Sequence, residues 1–207
     1  MSQKDRLKLS RLLFMVVGLS GILVMIGWIC DIGFLKCIHH SWSSMKFDTA
    51  FCFLLSGIML FYITRAQEGE FDKAQVVISI TSLILVLIMG VLFFSSIFRI
   101  QTGAEHLFIT EAPGGVKTVI PGRPSVPTII NFLLIAVSGM LTILHVGKVR
   151  TAMIVAGLFI TSAGLLAIAG YIIDFPLLYY YIEGVNSAMA FHTAILFILL
   201  GVGLICL

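Results

Sequence analysis

Residues 45–57 read MKFDTAFCFLLSG, and residues 189–201 read MAFHTAILFILLG. The two segments share a methionine, two phenylalanines, a Thr-Ala pair and a final glycine at the same spacing. A weaker third copy, SVPTIINFLLIA, covers residues 125–136. Related segments that recur along one chain indicate an internal structural repeat. The sequence therefore predicts a fold built from three similar units.

Three positions recur in all copies and lie four residues apart, which places them on one face of a helix. A threonine at a helix start can cap it, and small residues let membrane helices approach closely. We therefore expect the repeated phenylalanines and small residues to serve packing. The recurring residues are Thr49, Thr128 and Thr193, then Phe53, Phe132 and Phe197, then Gly57, Ala136 and Gly201.

The composition is that of an integral membrane protein. Hydrophobic residues make up 59% of the 207 residues and charged residues 11%, whereas soluble domains carry about 25% charged residues. Long apolar runs, each close to the ~20 residues that cross a bilayer as a helix, have no charge at their centres. We predict six transmembrane helices at about 12–30, 47–64, 76–98, 127–146, 151–173 and 188–207.

The fold class we expect is an all-α membrane bundle made of three two-helix repeats, at about 11–66, 75–147 and 150–207. Because each unit crosses the membrane twice, the units are parallel, and a pseudo-threefold axis should run along the membrane normal. The loop at about 99–126 is an insertion in the second unit. Its apolar residues, set between glycines and prolines, suggest a lid packed on the bundle.

The first helices of the units repeat more faintly. Residues 27–31 read GWICD and residues 170–174 read GYIID. In the second unit, Gly90 offers the matching glycine, with Phe94 in the place of the aspartate.

The distribution of Lys and Arg predicts the orientation. The N-terminal segment and the loops after the second and fourth spans carry eight basic residues, and the other side carries five. We expect a multi-pass protein of the cell membrane with both termini in the cytoplasm. The first span should be retained, because no small-residue cleavage site follows it.

Polar and aromatic residues gather at the predicted outer ends of the helices. Asp48 and His192 share one repeat position, and a ring of such groups could form a shallow outward-facing pocket. The competing explanation is that the aromatic residues form an interfacial belt and the aspartates cap helices. The candidate ligand-binding residues are Asp31, Asp48, Asp174, His192, Trp28 and Tyr171.

The sequence gives little support for metal binding, catalysis or nucleic acid binding. Adjacent histidines such as His39 and His40 point ~100° apart on a helix and do not form a specific metal site. Cys30 and Cys37 lie near one membrane face, either paired or free. No catalytic motif is present, so we expect no enzyme activity, no catalytic residues, no metal and no cofactor. The net charge of +3 is too weak to indicate nucleic acid binding.

The repeated helix start, the segment 170–194 and Pro121-Gly122-Arg123-Pro124-Ser125 together resemble the membrane-embedded input region of bacterial and archaeal sensor proteins. In those proteins the region precedes PAS, GAF, histidine-kinase or GGDEF domains, as in two-component systems. The resemblance implies signal transduction to a cytoplasmic signalling domain or partner protein, and a homodimer. By this resemblance we expect the output domain, with any kinase activity, to lie outside this chain.

Three functions are therefore considered. The first is a sensory domain that detects a cue at its outer face. The second is a structural subunit of a larger membrane complex. The third is a small transporter or channel, for which Asn131 is the polar residue within a span.

Overall fold

A computed structural model describes residues 2–144 and 147–207. Within these residues a single β-bridge joins Ile182 to Asn186, and 3-10 turns occupy Ala104–His106 and Pro176–Tyr179. The remaining regular structure is helical, which confirms the all-α class. The helices are α1 (Gln3–Ile29), α2 (Gly33–Lys36), α3 (Phe47–Gln67), α4 (Phe71–Phe98), α5 (Val126–Ile143), α6 (Val149–Ile172) and α7 (Phe191–Cys206).

Five of the described helices are long and apolar enough to cross a membrane: α1, α3, α4, α5 and α6. The last helix, α7, is also apolar but has 16 residues. At ~1.5 Å per residue it is about 24 Å long, shorter than the ~30 Å hydrocarbon core of a bilayer. The fold is thus that of a multi-pass helical membrane protein with five candidate spans.

The first helix begins well before the predicted apolar run. The Ser2 hydroxyl accepts a hydrogen bond from the amide of Asp5, which satisfies one of the free amides of the first turn. Helix α1 therefore includes the charged residues between positions 4 and 11, which precede its apolar part.

Consecutive long helices form three closely packed hairpins: α1 with α3, α4 with α5, and α6 with α7. Glycines bring the backbones together in the first and third hairpins. A Cβ atom added at Gly21 would lie 2.5 Å from the carbonyl oxygen of Ala50, and one added at Gly164 would lie 2.6 Å from that of Ala194. Both contacts are close backbone approaches of the kind that small residues permit.

The second helix of each hairpin contributes one fully buried phenylalanine to a common cluster. Ring centroids lie 4.8 Å apart for Phe53 and Phe132, 4.9 Å for Phe53 and Phe197, and 5.0 Å for Phe132 and Phe197. These separations are typical of favourable aromatic contacts. The core of the bundle therefore lies where α3, α5 and α7 meet.

The three loops that follow α1, α4 and α6 lie at the same end of the bundle. We call this end, formed by residues 30–46, 99–125 and 173–190, the lid end. The opposite end, where residues 67–71 and 147–149 lie, is called the terminal end.

The helices α1, α4 and α6 end in the same way. Each is followed by a residue with left-handed backbone: Asp31 (φ 56°), Arg99 (φ 56°) and Asp174 (φ 52°). The next amide then bonds back to a carbonyl five residues earlier, which closes a Schellman motif. In the second hairpin, Arg99 therefore corresponds to the two aspartates, and Ser95 corresponds to the glycine that accepts the hydrogen bond. The sequence had instead suggested Phe94 and Gly90 for these two positions. The bonds are Ile32 N to Gly27 O, 2.8 Å, Ile100 N to Ser95 O, 3.2 Å, and Phe175 N to Gly170 O, 2.9 Å.

Candidate functional site

Residues 99–125, hereafter the lid, pack onto the lid end of the bundle. The ring of Phe108 lies 4.9 Å from that of Phe51 and 5.6 Å from that of Phe47, both on α3. On the other side, the carbonyl of Lys117 accepts a 3.0 Å hydrogen bond from the amide of Ala188. The lid therefore packs on the bundle, as the sequence predicts, and it contacts both the first and the third hairpin.

Two buried ion pairs involve the lid: one joins it to the residue before α3, and the other lies within the lid and is hydrogen-bonded to Ser95 of α4. Lys46, immediately before α3, lies 2.7 Å from Glu111, and Arg123 lies 2.5 Å from Glu105. Each of these four residues is less than a tenth exposed. The amide of Gly122 also donates a 2.6 Å hydrogen bond to the second oxygen of Glu111. Removing one partner of such a pair leaves an uncompensated buried charge, which costs about 3–5 kcal/mol.

The Glu105 carboxylate also accepts a hydrogen bond from Ser95, the residue that stands where the other hairpins have glycine. Burial raises the pKa of Glu105, but the hydrogen bonds from Ser95 and Arg123 outweigh burial and lower the pKa to about 2. Burial lowers the pKa of Lys46, and the adjacent Glu111 carboxylate opposes that effect. The hydrogen bonds to Glu105 therefore stabilise its ionised form.

A chain of aromatic rings connects the loop after α1 with the third hairpin. The ring of Trp42 lies 4.6 Å from that of Phe191 and 5.1 Å from that of Tyr171. Tyr171 in turn stacks on Tyr179 at 4.3 Å. Lys117 of the lid lies 4.6 Å above the Tyr179 ring and donates a 2.7 Å hydrogen bond to its hydroxyl. Trp42 thus couples the first hairpin to α6 and α7.

Beside Trp42 the lid end opens into a cavity of about 370 Å³, hereafter the cleft. Indole rings and aliphatic side chains form its walls, and an amine, a thiol and an imidazole supply polar groups. Such a site suits a small ligand with an apolar body and one polar or anionic end. The cleft is lined by Trp28, Gly33, Phe34, Lys36, Cys37, Ile38, His40, Trp42, Ser44 and Val116.

Two polar groups in the cleft, an ammonium and a thiol, already have partners within the protein. The Lys36 ammonium lies 4.9 Å above the Trp28 ring and 2.5 Å from an Asp31 oxygen. The Cys37 thiol donates to the carbonyls of His39 and Trp42 at 3.0 Å and 3.2 Å. Burial raises the pKa of the Cys37 thiol. Cys30 and Cys37 are both free thiols in this structure.

The structure places the predicted site residues in three different surroundings. Trp28 lines the cleft, and Tyr171 belongs to the aromatic chain. Asp31 and Asp174 are exposed and hold the left-handed positions that end α1 and α6. Because those positions terminate helices, their structural role accounts for both aspartates.

Asp48 and His192 lie at matching positions in the first turns of α3 and α7. Asp48 is 3% exposed, and one of its carboxylate oxygens has no hydrogen-bond partner among the described residues. The Nε2 atom of His192 is likewise buried without a partner there. Two helices, α3 and α7, thus each carry a buried polar atom in the first turn.

Sequence reasoning did not single out Lys46, Glu105, Glu111 and Arg123 as a buried set, nor Trp42 as the link between hairpins. One signal was available for the charged residues. The lid carries both acidic and basic side chains among apolar ones, and burial of such a segment requires that its charges pair.

Comparison of the chain with models of protein families, with curated proteins and with solved structures finds no match. The class of the protein therefore rests on its own helices. It is a multi-pass helical membrane protein with a closed lid and an aromatic cleft at one end.

Proposed function

We propose that this protein is a membrane signal-input domain that detects a small cue in the cleft and passes helix movement to a cytoplasmic signalling domain or partner. The observation that carries the proposal is the position of Trp42. Its ring lines the cleft and also contacts Tyr171 and Phe191. A ligand that displaces this ring would act on α6 and α7, which extend to the terminal end.

In this proposal the bundle has six spans arranged as three parallel hairpins around a pseudo-threefold axis. The phenylalanine cluster, the matching glycine contacts and the shared helix ends support that arrangement. The lid end would face outward and both termini would lie in the cytoplasm, which the excess of basic residues at the terminal end supports. A homodimer would bring two output domains together.

The transmission step requires helices that shift as rigid bodies by about 1–2 Å. Gly21 and Gly164 have no side chain of their own, so α1 and α6 approach the backbones of α3 and α7 directly there, and sliding would take place at these contacts. The first hairpin would then move relative to the third when Trp42 changes position.

A binding screen tests the proposal. The protein in lipid nanodiscs is titrated with small amphiphilic and anionic solutes while thermal stability is followed. We expect a ligand that stabilises the wild type and fails to stabilise Trp42→Ala and His40→Ala. Phe94→Ala is the matched control, because Phe94 is a 61% exposed aromatic residue on α4 away from the cleft. A ligand that stabilises all variants equally would contradict the assignment.

One observation favours the transporter alternative. Asn131 on α5 is fully buried, and both polar atoms of its amide lack a partner among the described residues. Polar groups of this kind within a membrane often mark a pathway. Solute flux in proteoliposomes that disappears in Asn131→Leu would support transport and argue against the sensory proposal. Co-purification with stoichiometric membrane partners would instead support the structural-subunit alternative.

A further inference from the structure

An open groove runs between α5 and α6, where the second hairpin meets the third. Its volume is about 590 Å³, which lies within the ~300–1,000 Å³ of small-molecule pockets. The α5 wall is a stripe of residues three or four positions apart, so that they share one face of the helix. That wall is formed by Ile130, Leu134, Val137, Ser138 and Leu141.

The groove is apolar along most of its length and polar at the terminal end, where Lys148 and Thr151 line it. On α5, the Ser138 hydroxyl donates a 2.9 Å hydrogen bond to the carbonyl of Leu134, so it adds no free donor to the wall. The groove therefore suits a ligand with a polar head and an apolar body. The apolar residues of the α6 wall are Ala152, Val155, Ala156 and Phe159.

Lys148 brings an uncompensated positive charge to the terminal end of the groove. It is exposed, and no ion pair joins it to another described residue. Two arginines at the same end do have acidic partners, since Arg11 pairs with Glu68 and Arg65 pairs with Glu70. The ammonium of Lys148 is thus free to bind an anion.

The length of the groove matches one leaflet of a bilayer. From Ile130 to Leu141, and from Lys148 to Phe159, each wall extends over eleven residue steps, which is about 16 Å at the rise of an α-helix. Half of the hydrocarbon core of a bilayer is ~15 Å thick. One acyl chain can therefore lie along the groove while its head group stays beside Lys148.

We propose that the groove binds one anionic phospholipid from the leaflet at the terminal end, with its phosphate on Lys148 and Thr151 and one acyl chain between α5 and α6. The negative head group complements the unpaired ammonium, and basic pockets between membrane helices bind such head groups. The bound lipid would hold the second hairpin to the third. This inference goes beyond the proposed function and does not depend on it, because the groove and the cleft have no lining residue in common.

The test is native mass spectrometry of the full chain, purified in detergent without added lipid. Dioleoylphosphatidylglycerol and dioleoylphosphatidylcholine, which share their acyl chains, are then added in equal amounts. We expect the wild type to retain one phosphatidylglycerol with about fivefold preference, the effect of one basic residue near a membrane surface. Lys148→Ala should abolish the preference. Lys73→Ala, which removes another exposed lysine at the terminal end, should keep it.

A second pair of variants tests the acyl-chain part of the site. Ala152→Phe fills the groove and should reduce the retention of both lipids, whereas Val76→Phe, at a 59% exposed position on α4, should not. If Ala152→Phe does not fold, the surface variant Lys148→Ala still decides the question.

Three results would overturn the proposal. The first is equal retention of the two lipids by the wild type, or a preference that survives in Lys148→Ala. The second is displacement of the lipid by an equimolar amount of sodium phosphate, since the site would then bind a free anion. The third is a dimer that is lost in Ala152→Phe, since a second copy of the chain would then cover the groove.

Discussion

The indole of Trp28 and the phenol of Tyr171 donate the same hydrogen bond in two different hairpins. Trp28 Nε1 bonds to the carbonyl of Met45, and Tyr171 Oη bonds to the carbonyl of Met189, both at 2.8 Å. Each methionine stands two residues before a second helix, α3 or α7. The end of one helix is thereby tied to the start of the next by equivalent residues.

Loss of this bond should weaken the third hairpin. Tyr171→Phe removes only the hydroxyl, and we expect a loss of about 1 kcal/mol in the free energy of unfolding, seen as a Tm lower by about 2–4 °C. Tyr181→Phe is the matched control, because no hydrogen bond joins the Tyr181 hydroxyl to another of the described residues. Equal Tm values for the two variants would contradict the role given to this bond.

Alanine at the interhelical glycines should be destabilising. At Gly21 and Gly164 the added methyl group would meet a backbone oxygen at 2.5 Å and 2.6 Å, and a helix backbone yields less readily than a side chain. We expect each variant to lose about 1–3 kcal/mol, measured by thermal or denaturant unfolding in detergent.

Gly90→Ala is the internal control for those variants. Nothing lies within 4 Å of a Cβ atom at Gly90, and alanine favours a helix over glycine by about 1 kcal/mol. This variant should match or exceed the wild type in stability. Destabilisation at all three glycines alike would show that the close approaches are not responsible.

Acid should open the lid. The pKa of Glu105 is about 2 in the folded protein and ordinarily 4.5. The folded state therefore favours the carboxylate, and the stabilisation, on the order of 3 kcal/mol, is present above pH 4.5 and lost as the pH falls towards 2. Acrylamide quenching of Trp28 in Trp42→Phe should rise over this window. Quenching that is constant from pH 6 to pH 2.5 would contradict this account.

The cysteines should differ in reactivity. Cys30 is exposed, and Cys52 is buried. The Cys37 thiol is half-buried, its pKa is raised by burial, and it donates to two carbonyls. Since the thiolate is the reactive form, a maleimide should modify Cys30 first, Cys37 slowly and Cys52 only after unfolding. Mass spectrometry of timed samples gives the order.

The same reagents test orientation. A membrane-impermeant maleimide added to intact cells should label Cys30 at the lid end and should reach Cys206 only after permeabilisation. The reverse pattern would place the lid in the cytoplasm.

The helices could be predicted from the sequence because apolar runs of membrane length leave few alternatives, and the recurring Phe53, Phe132 and Phe197 correctly indicated a shared packing position. The end of α4 could not be found by searching for glycine. A left-handed residue is needed there, but Arg99 supplies it, and Ser95 stands in the place of glycine, where its hydroxyl donates to Glu105 and accepts from Arg123.

The candidate site was only partly accessible to sequence reasoning. The sequence indicated Trp28, Asp48 and His192, because residues at repeated positions can be recognised when the repeated segments are aligned. The pairing of Lys46 with Glu111 joins residues 65 positions apart, and nothing local in the sequence specifies which charges of a loop meet. The role of Trp42 depends in the same way on the packing of the first hairpin against the third.

The measurement that tests the central claim most directly is hydrogen exchange with the cleft occupied. In a Cys30→Ser, Cys206→Ser background, N-ethylmaleimide attached to Cys37 fills the cleft in place of a cue, and Cys37→Ser treated alike is the control. If the protein is a signal-input domain, exchange should change at residues 64–71 and 147–152, at the terminal end. A change confined to residues 30–46 would show that the cleft does not communicate across the bundle and would contradict the proposed function.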